Sequence, residues 1–206
     1  MLEVIGGVRT RTFRVLWLLE ELGIEYKHRD VDFSKGDHKD PEFLKMNPSA
    51  KVPVLRVEDK IYHETSMMLW LIADKYGQGS HLEIPNDGSQ YEILQWLFYG
   101  ADELEQGLWT VSRHKFVLPK EERIEANIQW GYREFSKCLD YLHLMLGEKL
   151  YLVNDKFSIA DLQIAQILLW GFRLQVDLKY GNVREFMDRI RGRESFKRTL
   201  SKIDKN

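Results

Sequence analysis

The stretch Asn47-Pro48-Ser49-Ala50-Lys51-Val52-Pro53-Val54-Leu55 sets a proline second in an apolar run that reads as a strand. Proline has no N–H to give to a sheet ladder, so such a strand belongs at an edge or begins with unusual peptide geometry. A cis Val52-Pro53 bond would turn the Val52 backbone outward and free its N–H and C=O for a ligand. An extended peptide could pair there as an added strand. The alternative is a loop that Pro53 merely stiffens, and these residues alone do not choose between the two. Glu64-Thr65, before an apolar helix, reads by itself as a cap, and His38-Lys39 as a solvated loop. Phe157-Ser158-Ile159-Ala160-Asp161-Leu162 has the spacing of a capping box: Ser158 caps, Asp161 reaches back and Phe157 staples onto Leu162. Catalysis by Ser158 and Asp161 would need a histidine in reach, whereas the cap needs nothing more. The single cysteine, Cys138, shares a helical repeat with Phe135, Leu139, Leu142, Met145 and Leu146. It reads as a small core residue, and no intrachain disulfide can form.

Two kinds of scaffold follow from the patterning. Over the first 78 residues, β-like and helix-like runs alternate: Leu2–Ile5 is apolar, 11–22 is Leu-rich and closed by Gly23, and 26–33 alternates as a strand does. A βαβ unit with a helical connection predicts parallel strands and a right-handed crossover. Residues 52–57 and Lys60–Tyr62 flank Glu58-Asp59 at hairpin spacing, and Thr65–Tyr76 is a helix that Gly77 stops. Gly, Pro, Asn, Asp and Ser crowd 77–90, a linker composition. Beyond it, 91–109, 120–146, 159–174 and 183–191 repeat apolar residues at three- and four-residue spacing. The expected fold is α/β plus all-α: a βαβ-ββα domain over 1–78, a linker over 79–89 and a helical bundle over 90–206. The chain has 206 residues, 44% of them hydrophobic, and a net charge of −2. A large core is therefore expected, and neither nucleic acid nor an anionic membrane is an expected partner. Arg9, Arg11, Arg14, Glu20 and Glu21 interrupt the apolar start, so neither a signal peptide nor a membrane span is expected there.

NPSAKVPVL followed by HETSMMLWLIADKYG resembles the glutathione-site core of the cytosolic glutathione S-transferase superfamily. TRTFRVLWLLEELGIEY is similar to the first βα unit of bacterial and fungal members, and KGDHKDPEFLKMNP to phi- and theta-type members. The helical half is similar through FSIAD and VREFMDRIRGRESFKR, where Glu194 replaces a commonly seen proline. The resemblance implies a thioredoxin-like N-terminal domain, a detoxifying transferase in the cytoplasm, a homodimer, and glutathione as co-substrate with no prosthetic group or metal. It also implies site roles. Glu64 would hold the γ-glutamyl ammonium, and Thr65, at a helix N-terminus, the γ-glutamyl carboxylate. Lys51, Val52 and Pro53 would contact glutathione, with Val52 exchanging backbone hydrogen bonds with the cysteinyl unit. His38 and Lys39 would face the glycyl carboxylate.

A free cysteine thiol titrates near ~8.5, and the thiolate is the nucleophile. Lowering that value by one or two units takes ~1.4 to ~2.7 kcal/mol, within reach of a donor at the start of the first helix. Family members place tyrosine, serine or cysteine there, and Gly7-Val8-Arg9-Thr10-Arg11-Thr12-Phe13-Arg14 has none. Alignment on the fungal and bacterial pattern puts Thr10 on the serine and Arg11 on the following arginine, while the theta-type pattern puts Arg9 there. Thr10 and Arg11 are the first choices, with Arg9, Thr12 and backbone amides open as donors and a plain helix cap open for Thr10. Without an N-terminal cysteine, mixed-disulfide chemistry is disfavoured. A small apolar electrophile is expected against Tyr99, Glu103, Leu108, Trp109 and Arg113, whose spacing equally suits bundle core. Asp102 matches an acidic position that reaches the neighbouring subunit in some relatives. The alternatives are a non-catalytic glutathione-transferase-like binding protein and a glutathione-dependent peroxidase.

Overall fold

The computed structural model describes residues 1–203, so 204–206 of the expected helical domain lie outside it. In chain order the elements are β1 (Leu2–Ile5), α1 (Thr12–Leu22), β2 (Lys27–Arg29), α2 (Pro41–Met46), β3 (Val54–Val57), β4 (Lys60–Tyr62), α3 (Thr65–Tyr76), α4 (Ser89–Phe98), α5 (Glu105–Ser112), α6 (Glu125–Leu146), α7 (Ile159–Arg173), α8 (Gly181–Arg191) and α9 (Glu194–Leu200). They fall into two compact units. Among the described residues, one is Met1–Ile84 with 192–203, and the other is Pro85–Arg191.

The first unit holds a four-stranded sheet in the order β2-β1-β3-β4. β1 and β2 run parallel across the α1 crossover, and β3 and β4 form the antiparallel hairpin that Glu58-Asp59 closes. The parallel pair and the hairpin both match the sequence expectation. α2 was absent from that expectation, because six residues are too short to show a period. It starts with Pro41 at its first position and the Asp40 carboxylate accepting the Glu42 N–H at 2.8 Å. α1 is buried on every side from Thr12 to Leu19, so it needs more cover than one sheet offers. α9 supplies it: Trp17 Nε1 donates to Ser195 Oγ at 3.1 Å, and Phe196 packs edge-on against Trp17 and Phe13 at 5.1 and 5.6 Å. The helical bundle expected over 90–206 therefore ends early, at Arg191, because the closing helix completes the core around α1.

Glu21, at the end of α1, fixes both places where the chain passes between the units. Its carboxylate accepts from Arg193 Nε at 3.1 Å, from Arg193 Nη2, from Ser195 Oγ and from His81 Nε2 at 3.0 Å. Burial pushes this carboxyl upward, but Arg193, Ser195 and His81 together hold it below the usual carboxylate range.

The second unit is helical, as expected, but the helix anticipated over 91–109 is interrupted. α4 widens into a π-helical turn over Tyr99–Leu104 before α5 begins, and a second π turn spans Arg113–Val117. The first widening has a partner in α7, where Gln163 Nε2 donates to the Leu97 carbonyl at 2.8 Å. A side chain entering the ladder opens the helix. Gly100 leaves room for it, since a Cβ there would lie 2.6 Å from Gln163 Nε2. α5 and α6 cross backbone to backbone at Gly107 and Gly131, where a Cβ on either would come within 2.5 Å of the other's carbonyl oxygen. Gly131→Ala is expected to cost about 2 kcal/mol in a urea melt, as overpacking does, and an unchanged midpoint would contradict the close crossing. The capping box forms at α7: Ser158 Oγ accepts from Ala160 N, and Asp161 accepts from Ser158 N and Ser158 Oγ, both at 2.8 Å. Among the described residues no helix is long and apolar enough to cross a membrane.

Candidate functional site

Three chain segments converge in the first unit. Gly6 follows β1 with φ of 148°, which L side chains rarely adopt, and a Cβ on it would sit 2.2 Å from Thr12 Oγ1 and 2.9 Å from Val52 Cβ. Only bare backbone lets the start of α1 approach the Val52-Pro53 loop this closely. The Val52-Pro53 bond is cis. Asn47 holds the loop in shape: its Nδ2 donates to Lys51 O at 2.8 Å, and its Oδ1 accepts from Ser49 N and Oγ at 3.1 and 2.7 Å. The third segment is the start of α3, joined to α1 by a bond of 3.4 Å from Arg14 Nη1 to Thr65 Oγ1.

Glu64 lies at the cap position of α3 with φ 66° and ψ 111°, and its side chain makes no cap bond. A plain helix cap therefore does not account for it. The residue is exposed and held in a backbone region that costs a non-glycine residue ~1–3 kcal/mol. Thr65 is the first residue of α3 and half-buried, with Arg14 behind it. Val52 is half-buried beside the exposed Lys51, and Pro53 is buried. His38 and Lys39 sit on a separate short turn, where the His38 ring stacks on Phe33 at 4.5 Å and its Nδ1 is buried without a hydrogen-bond partner.

Thr10 precedes Arg11, which occupies the cap position of α1. The Thr10 hydroxyl donates to Gly7 O at 2.8 Å, accepts from Thr12 N at 3.1 Å and lies 2.8 Å from Thr12 Oγ1. Arg9 is exposed and Arg11 half-buried. Sequence reasoning overlooked Arg14, which is fully buried. The available signal was a cation between Phe13 and Val15 in a helix apolar on all sides, since a charge so placed needs a polar partner.

In the second unit the five residues expected against an electrophile do not form one group. Tyr99 donates to Cys138 O at 2.7 Å, and its ring packs with Trp96 and Tyr141. Burial and the adjoining Cys138 raise the Tyr99 phenol, with Glu103 adding to the shift. Burial likewise raises the Cys138 thiol, in line with a packing role. Trp109 instead carries the Arg113 guanidinium over its ring at 5.9 Å. Leu108 is fully buried, while Asp102 and Glu103 are exposed on the first π turn.

Residues 2–72 match the family model described as Glutathione S-transferase, N-terminal domain, and residues 94–194 match Glutathione S-transferase, C-terminal domain. Glutathione S-transferase 1 of Schizosaccharomyces pombe is 30% identical over 195 residues, which cover 92% of this chain and 83% of that protein. Among solved structures, the glutathione transferase URE2P6 from Phanerochaete chrysosporium, in complex with oxidized glutathione, superposes with a TM-score of 0.88 at 22% identity, covering 99% of this chain and 96% of that one. Ure2p in complex with glutathione gives 0.87 at 22% identity, covering 97% and 94%.

Proposed function

The chain belongs to the glutathione S-transferase family in both its N-terminal and C-terminal domains, and from that premise we propose that it binds glutathione on the first unit and activates its thiol toward a small apolar electrophile. The observation that carries this reading is Glu64. This exposed residue is held in a left-handed conformation at the mouth of α3, beside Thr65. In this reading Glu64 pairs with the γ-glutamyl ammonium, while Thr65 and the α3 amides receive the adjoining carboxylate, favoured by the positive end of the helix. Buried Arg14 adds a fixed positive charge behind Thr65. The Val52 backbone pairs with the cysteinyl unit, and His38 and Lys39 meet the glycyl carboxylate across the turn that Phe33 supports.

The thiolate is stabilised by Thr10, with Arg11 adding charge. The Thr10 hydroxyl donates to Gly7 O; with glutathione bound it turns to sulfur, and attack on the electrophile then uses the lone pair it has stabilised. We assign the electrophile's contacts to Trp109 and Arg113 ahead of Tyr99 and Glu103, because the Tyr99 ring and hydroxyl are already engaged within the bundle. The test is the ultraviolet thiolate band of bound glutathione as a function of pH. Thr10→Ala is expected to reduce the thiolate fraction at pH 7 about tenfold, the worth of one hydrogen bond to a charged group, with affinity at low pH unchanged. A thiol that titrates at its free value in the wild type would leave binding without activation. One observation favours that second, non-catalytic reading: the Thr10 hydroxyl already has partners for its hydrogen and both lone pairs.

Two further elements belong to the proposal. The protein works in the cytoplasm, consistent with its single, partly buried thiol. It also works as a homodimer. The outer face of α4 supports this, with Tyr91 69% and Phe98 62% exposed and two turns apart. Light scattering at micromolar concentration checks it, and a monomer would remove this element.

A further inference from the structure

We propose that Thr12 is a positioning residue that drives the Thr10 hydroxyl toward the thiol of bound glutathione. The inference rests on the assignment of Thr10 above and deepens it. It follows from counting hydrogens. Thr12 is fully buried, and among the described residues the one hydrogen-bond partner of its hydroxyl is Thr10 Oγ1 at 2.8 Å. Were Thr10 the donor in that pair, the Thr12 hydrogen would be buried with no acceptor and Gly7 O would keep only its bond from Thr10 N, at 3.0 Å. Both penalties vanish if Thr12 donates to Thr10 and Thr10 donates to Gly7 O. Thr12 N–H also donates to Thr10 Oγ1 at 3.1 Å. Both acceptor positions on Thr10 are thus filled from α1, and its single hydrogen is left to Gly7 O.

That hydrogen can exchange Gly7 O for a sulfur anion without disturbing either bond from Thr12. A hydroxyl that accepts while it donates is a stronger donor, by ~10–30% per bond in condensed phase. Thr12 itself cannot reach the ligand, because Gly6 lies against its oxygen: a Cβ built on Gly6 would be 2.2 Å away. Its influence passes through Thr10 alone. The short, β-branched Thr10 is in this way given a fixed hydrogen direction.

The test is the thiolate band of glutathione bound to Thr12→Val, Thr12→Ser and Thr12→Ala, each alone and with Thr10→Ala, alongside binding by calorimetry at pH 5.5. Thr12→Val keeps the shape and loses the hydroxyl, and is expected to lower the thiolate fraction at pH 7 about two- to fourfold. Glutathione affinity at pH 5.5 should stay unchanged. Thr12→Ser should restore the wild-type titration, and Thr12→Ala supplies the same readout if the valine variant does not fold. Adding Thr12→Val to Thr10→Ala should change nothing further, which a packing defect would not reproduce. If Thr10→Ala raises the thiol pKa but Thr12→Val and Thr12→Ala leave it in place, the inference fails and the reading of Thr10 stands. A pKa unmoved by Thr10→Ala removes both.

Discussion

Replacing Asp161 with alanine is expected to destabilise the helical unit by about 3 to 5 kcal/mol, because the change strands three buried donors at once. Leu152 N, Ser158 N and Ser158 Oγ each donate to this carboxylate at 2.8 Å, and the side chain is fully buried. Leu152 lies in the loop before α7, so the same residue that caps the helix also anchors the approach to it. The pH dependence has a definite sign. Burial pushes the Asp161 carboxyl up to about 6, against the lowering pull of its hydrogen bonds to Leu152 and Ser158. A folded state that holds a proton more tightly than the unfolded chain gains stability from that group below its unfolded value, and loses it as pH rises through about 6. Wild type should therefore be more stable at pH 5 than at pH 7 by ~1 kcal/mol from this group, and Asp161→Ala should lack that increment. Glu21 acts in the opposite sense at lower pH: its contribution is present above 4.5 and disappears on further acidification. Urea melts of both proteins at the two pH values measure the effect, and an equal pH response would refute it.

Glu64 should separate stability from binding. Glu64→Gly removes the carboxylate but adopts φ 66° without penalty, so the fold should hold its melting temperature or gain ~1 kcal/mol. Glutathione affinity should nevertheless fall about 10- to 100-fold, the worth of a charge-assisted contact. Glu64→Gln keeps the backbone penalty and should lose affinity without gaining stability. Calorimetry and thermal melts give both quantities. If Glu64→Gly were less stable than wild type, strain held for binding would be the wrong description of this position.

What the sequence made legible was local. The hairpin around Glu58-Asp59 and the Ser158–Asp161 cap depend on residues a few positions apart, and the βαβ unit on the periods of three consecutive segments, so period and spacing were enough. The interrupted α4–α5 region was hidden because its cause, Gln163, lies 66 residues from the carbonyl it occupies. α9 was assigned to the wrong unit because Phe196 and Ser195 find their partners, Phe13 and Trp17, at the far end of the chain. For the site, the Val52-Pro53 loop and Glu64-Thr65 were readable as motifs. The state of Thr10 was not, since two threonines two residues apart do not announce which one gives its hydrogen to the other. Arg14 was readable only as an anomaly, and its partner, 51 residues on, had to come from the fold.

The bonds to Glu21 make the helical unit an insertion in the sheet-bearing one. His81 and Arg193 stand three residues from each crossing at most and meet on one carboxylate, so the chain leaves and returns at neighbouring points. A domain spliced into another in this manner can be removed by excision, joining the chain near Ile84 to the chain near Gly192 through a short linker. Truncation after residue 78 is a different operation. It takes away Ser195 and Phe196, uncovers Trp17 and leaves the Glu21 carboxylate buried without its cations, the arrangement buried charge tolerates least. A minimal fragment that preserves the sheet-bearing unit of this protein therefore consists of two pieces of chain, the second of which carries α9.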